Sequence, residues 1–161
     1  MNVHDYLIDH NGFDWARLLS GWEWLLSSEF SVWLMNRFGD LFLILPDGSI
    51  HMLDVGGGSL TKLAESKEEF ARIIDADDNA DDWLMIPLVD RLVGAGVLLE
   101  PGQCYSFVTP PILGGEYSAE NTMVVPISEH FGLYGSYHEQ LRDVPDGSKV
   151  IINVQKPPPS R

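Results

Sequence analysis

Basic residues are scarce in this chain. Against 24 Asp and Glu, its 161 residues include only 10 Lys and Arg, for a formal net charge of −14. The acids are spread along the chain rather than gathered in a tail, so repulsion from phosphate excludes nucleic acid as a direct partner and leaves room for a basic protein. Cysteine is nearly absent too. Cys104 stands alone, which excludes an intramolecular disulfide, a thiolate cluster and a CxxC redox pair. No hydrophobic run approaches the ~18 residues of a membrane span, and the opening MNVHDYLIDHNG has neither the basic nor the apolar region of a leader. These absences predict a soluble, cytoplasmic protein with no membrane association.

The motifs of catalysis and ligand binding are missing as well. There is no GxSxG, no HExxH and no Cys/His pair in a catalytic context. The glycine runs at Gly56-Gly57-Gly58 and Gly114-Gly115 are followed by no GK[ST] and open no GxGxxG helix, so they are not phosphate cradles. Asp75-Ala76-Asp77-Asp78-Asn79-Ala80-Asp81-Asp82 invites comparison with a calcium loop. An EF-hand starting at Asp75 needs Gly and Glu where this chain has Ala80 and Ile86. His130 and His138 fall about 80° out of phase on a helix and lack a local third ligand, so they read as structural or surface histidines rather than metal ligands. With no basic residue nearby to activate it, Cys104 reads as a small buried hydrophobe. The expectation is a protein that is no enzyme and holds no cofactor and no metal.

Hydrophobic residues, at 45 % of the chain, are enough to fill a core in a chain the length of one ordinary domain. Their spacing is most regular from Val32 to Ser66. Val32–Met35, Asp40–Leu45, Ile50–Val55 and Leu60–Ala64 have strand length and are separated by turn chemistry, notably Pro46-Asp47-Gly48 and the triple glycine. Asp40–Leu45 is almost continuously apolar, as a strand covered on both faces should be. Around this meander the sequence places helices. Asp14 caps one from Trp15 to Ser27, with its Trp and Leu stripe turned to the core rather than serving as an aromatic platform. Ser66-Lys67-Glu68-Glu69 is a capping box, and Asn79, with Asp81 and Asp82 behind it, caps a helix through Trp83 to Gly94 that Pro87 should kink or split. Val97–Leu99 and Cys104–Val108 read as a hairpin across Pro101-Gly102. A last helix starts after Pro126 with Ile127, Phe131, Tyr134, His138 and Leu141 on one face, and Val150–Val154 follows as a final strand after an Asp146-Gly147 turn. The class is therefore α+β. One globular domain over residues 1–155 holds a central antiparallel meander sheet of five or more strands, packed by about four helices near 14–27, 66–75, 80–95 and 127–142, with a disordered tail at 156–161.

Two stretches resemble a known family. Asn36-Arg37-Phe38-Gly39-Asp40-Leu41-Phe42 followed by Ile50-His51-Met52-Leu53-Asp54-Val55 resembles the FGDLY/F strand pair of the GAD-like domain, giving a GAD-like portion over 36–65. Leu99 to Phe107, Leu113-Gly114-Gly115, Glu120-Asn121 and Glu129-His130-Phe131 resemble the C-terminal domain of type VI secretion immunity proteins that neutralise a DNase toxin, over 97–142. The likeness spans roughly residues 36–141 and departs at Pro110-Pro111, where the family usually has one proline followed by Ala-Leu. It implies a non-catalytic protein that binds a cognate toxin and blocks it. A regulatory or small-ligand-binding module of the SMI1/KNR4-like kind is a second class with a similar outline.

On the immunity reading, contacts with a basic toxin should fall on exposed acids and loops. The candidates are Asp75, Asp77, Asp78, Asp81 and Asp82, with Glu116 and Glu120 in the Gly-Gly loop as a second patch. The competing reading of the same residues is a set of solvated helix caps.

Overall fold

In the computed structural model, which describes residues 2–27 and 29–144, the turn signals cut the first half of the chain into a four-stranded antiparallel meander. Its strands are β1 (Ser31–Met35), β2 (Leu41–Ile44), β3 (Ile50–Asp54) and β4 (Ser59–Ala64), hydrogen-bonded in that order. β2 is covered on both faces, so Leu41, Phe42 and Leu43 are all fully buried in succession. At the β2–β3 turn, Asp47 Oδ1 accepts the Ser49 amide at 2.9 Å.

α2 (Lys67–Ile73) begins at the expected cap, where Ser66 Oγ accepts the Glu69 amide at 3.1 Å. Its Phe70 ring meets Phe42 and Trp33 edge-on at 5.6 and 5.1 Å, which fixes the helix to the sheet. Asn79 does not cap the following helix; its Nδ2 donates to the Ile73 carbonyl at 2.8 Å and closes the end of α2. α3 (Asn79–Leu84) and α4 (Ile86–Gly94) are the two pieces into which Pro87 divides the next stretch. In a continuous helix the proline ring would strike the Trp83 carbonyl one turn back, and the chain escapes by taking Met85 to φ 53°.

Two further expectations are corrected. From Trp15 only α1 (Trp15–Leu18) is α-helical; a 3-10 turn over Ser20–Trp22 follows, and the helix does not reach Ser27. The cap is right, since Asp14 Oδ1 accepts the Arg17 amide at 3.2 Å. What stops the helix is contact with α5 (Ile127–Leu141): Trp22 is fully buried and its Nε1 donates to the Phe131 carbonyl at 2.9 Å, so the Ser20-Gly21 backbone follows α5 instead of its own weak helical preference. The second correction concerns the second hairpin. β5 (Gln103–Phe107) pairs with β6 (Thr122–Pro126), not with Val97–Leu99. Val97 is used elsewhere, its amide reaching the Leu92 carbonyl at 2.9 Å to close the end of α4. The described strands thus form a sheet of four and a sheet of two rather than one sheet of five or more. The strand expected over 150–154 and the tail at 156–161 lie outside the described residues.

α5 joins the two sheets through both of its histidines. His130 Nδ1 pairs with Ser106 Oγ of β5 at 2.9 Å, and His138 Nε2 pairs with the Val55 carbonyl beside β3 at 2.7 Å. Burial lowers the pKa of both, that of His130 to about 4, so both rings are neutral structural groups, the first of the two roles their spacing left open. One hydrophobic cluster extends from Leu19 and Trp22 through Leu43 and Leu53 to Phe107 and Phe131.

α5 crosses the 3-10 turn where two glycines meet. A Cβ on Gly135 would lie 2.7 Å from the Gly21 carbonyl oxygen and 3.0 Å from Trp22 Nε1, whereas one on Gly94, at the end of α4, meets nothing within 4 Å. Gly135→Ala should therefore destabilise the fold by about 1–3 kcal/mol despite its better helix propensity, and Gly94→Ala should stabilise it by up to about 1 kcal/mol. Urea denaturation of the two variants checks both signs.

Candidate protein-binding surface

The surface is built outward from the turn between β1 and β2. Asn36, fully buried, spends its whole side chain on this turn. Its Oδ1 accepts the amides of Phe38 and Asp40 at 2.9 and 3.0 Å, and its Nδ2 donates to Asp40 Oδ2 and to the Trp83 carbonyl, both at 3.0 Å. The Trp83 carbonyl is available for a sequence reason. Its helical donor would be the amide of residue 87, and Pro87 has none. Gly39 has φ +78°, and a Cβ there would lie 2.8 Å from the His130 ring, so the Phe-Gly-Asp order of the turn is set by backbone conformation and by close packing together.

Asp40 forms the floor of a groove of about 330 Å³ whose walls include Met52 and Asp54 of β3, Asp81 and Asp82 of α3, Pro87 and Leu88 of α4, and Tyr117. Asp40 Oδ1 accepts the Val55 amide at 2.9 Å, and Asp54 Oδ1 accepts the Gly57 amide at 3.0 Å. Burial first, and the charge of Asp54 second, push the Asp40 carboxyl up to about 8. The other carboxylates of the groove face solvent more freely. A larger hollow of about 820 Å³ lies elsewhere, between the N-terminal segment and the Glu100–Gln103 turn, with lining of both signs that includes Asp9, Arg37 and Glu100.

The long β5–β6 connection forms the groove's far wall. Asn121 ties it into one body: Oδ1 accepts the Thr109 amide at 2.8 Å, while Nδ2 donates to the carbonyls of Thr109 and Glu116 at 2.9 and 2.8 Å. A 3-10 turn over Pro111–Leu113 and another over Ala119–Asn121 take up the intervening chain, the second packing on α4. The Tyr117 ring stands edge-on to Phe107 at 5.1 Å, and Phe107 stacks on Phe38 of the β1–β2 turn at 5.4 Å.

All seven candidate acids are exposed. The structure brings Asp81 and Asp82 to the groove that Tyr117 closes, next in sequence to Glu116 and three residues before Glu120. Asp75, Asp77 and Asp78 sit on the α2–α3 connection, outside the lining of that groove. Asp40, Asp54 and Tyr117 are additions of the fold. One sequence signal bears on the surface as a whole: between Arg72 and Arg142 the only Lys or Arg is Arg91, so this half of the chain carries charge of nearly one sign.

The raised pKa of Asp40 has a sign that can be tested. Near pH 4 the unfolded carboxyl begins to ionise while the folded one stays protonated until about pH 8, so stability contributed by protonated Asp40 is lost as pH rises across that window. His130 acts oppositely, its contribution being lost as pH falls from about 6.5 towards about 4. Asp40→Asn removes only the first effect, so its stability relative to the wild type should climb with pH by at most about 1.4 kcal/mol per unit between about pH 4 and 8. Urea melts of both proteins across that range measure it, and parallel curves would show that Asp40 ionises normally.

No curated protein matches the chain. The region matched by a family model includes the capped helix, all seven candidate acids and most of α5, whereas the meander before Ala64 lies outside it. Residues 64–138 match the model described as T6SS immunity protein Tdi1, C-terminal.

Proposed function

We propose that this protein is a non-catalytic immunity protein of the cytoplasm that binds a cognate secreted toxin, a nuclease being the class that fits best, and neutralises it by covering its surface. The observation that carries this reading is a coincidence of place. The segment matched by the immunity family carries 13 Asp and Glu against three Lys and Arg, includes all seven exposed candidate acids, and brings Asp81 and Asp82 to the groove floored by Asp40. A nuclease presents cationic surface to phosphate, and an acidic inhibitor is steered to that surface and occupies it. The acids at Asp75, Asp77, Asp78, Asp81 and Asp82, with Glu116 and Glu120, are the proposed contacts. A small-ligand-binding module of the SMI1/KNR4-like kind is the alternative, and the 820 Å³ hollow by the N-terminal segment is what favours it.

Long-range steering acts on the encounter rate and is screened by salt. The triple variant Asp77→Asn, Asp78→Asn, Asp81→Asn should therefore associate more slowly with the protein encoded by the neighbouring open reading frame, by about tenfold at low salt and by much less at high salt. Stopped-flow or biosensor association rates at two ionic strengths measure this. Equal rates for wild type and variant at low salt would remove this patch from the interface.

A further inference from the structure

Carboxylates steer a partner but hold it weakly, since exposed ion pairs contribute little net free energy. A lasting complex needs buried apolar contact somewhere, and the β5–β6 connection that walls the groove offers it. Besides Val108, which directly follows β5, three large hydrophobic side chains of the β5–β6 connection stand half out of the protein: Tyr117 is 50 % exposed, Ile112 45 % and Leu113 44 %. None is loose. Ile112 and Leu113 lie in the 3-10 turn after Pro110, and Tyr117 is braced by Phe107 and by the Asn121 bonds to both edges of the loop.

Rigid, partly exposed aromatic and aliphatic groups lose little conformational entropy on binding, which is the property of interface anchors. The surroundings identify what the anchor meets. Glu116 and Glu120 flank it in sequence, Asp81 and Asp82 share the groove with Tyr117, and no Lys or Arg occurs between Arg91 and Arg142. An apolar centre with an acidic rim is complementary to an apolar recess rimmed by Lys and Arg.

We infer that Ile112, Leu113 and Tyr117 form the anchor that controls dissociation of the toxin, seated in an apolar recess whose basic rim lies over the acidic groove. The inference rests on the immunity reading and divides the work within it: acids set the association rate, and the loop sets the lifetime of the complex.

The experiment compares wild type with Ile112→Ser/Leu113→Ser and with Tyr117→Ala, on a biosensor carrying the protein encoded next door, at low and high salt. Each variant should dissociate about tenfold or more faster, with an association rate within about twofold of wild type and a loss that salt does not diminish. Unchanged dissociation in the Ile112/Leu113 double variant, whose side chains are exposed enough to leave folding intact, overturns the inference while the immunity reading stands. If wild type does not bind the neighbouring protein at all, the immunity reading fails and the anchor with it. Size-exclusion chromatography of the chain alone covers the remaining occupant. A dimer that the double variant abolishes would assign the loop to a second copy and overturn the inference too.

Discussion

The side-chain amide of Asn36 is the contact on which the rest of this structure hangs. Four hydrogen bonds from one buried group close the β1–β2 turn, orient Asp40 beneath the groove and receive the end of α3 at the Trp83 carbonyl. The turn backbone then accepts the second sheet, because the Arg37 carbonyl takes the Tyr105 amide at 2.9 Å. A buried amide is costly unless every donor and acceptor is matched. Here the match requires the meander, the helix broken at Pro87 and the second sheet to be in place together, so the turn couples three elements that are distant in sequence.

That coupling explains how a groove with an acidic lining can exist. Asp40 is held by the Val55 amide and the Asn36 side chain, and in its buried place it is kept from ionising freely by poor solvation and by Asp54. The remaining carboxylates sit at the surface, where water screens their mutual repulsion. Mutual repulsion among them is unfavourable for the isolated fold. The loop opposite follows the same logic with apolar atoms: Asn121 supplies internal bonds that the loop's own sequence of prolines and glycines could not, and Tyr117 is left braced and half exposed.

Local chemistry is decisive for part of this fold. The four meander strands, the Ser66 cap, the division at Pro87 and the start of α5 were all legible, because each is set by residues a few positions apart. The N-terminal helix was misjudged beyond Leu18: its Trp and Leu stripe has helical period, yet Trp22 finds its partner at Phe131 across the fold. The partner of β5 was misjudged for a related reason. Val97–Leu99 is near in sequence, but its first amide is committed to the end of α4, and β6 arrives only after the chain has passed through the Asn121-bonded loop.

The sequence by itself determined the α+β class, the acid excess and the succession of meander strands and turns, since charge, turn type and side-chain period are properties of neighbours along a chain. Tertiary structure alone decided that the described strands form two sheets and that Asp54, Asp81, Asp82 and Tyr117 share one groove. No periodicity links residues 54, 81 and 117. They meet because the Asn36 turn, the helix break at Pro87, and the edge-on contact of Tyr117 with Phe107, itself stacked on Phe38, each fix one wall, and contacts of that kind are satisfied only when the whole core closes.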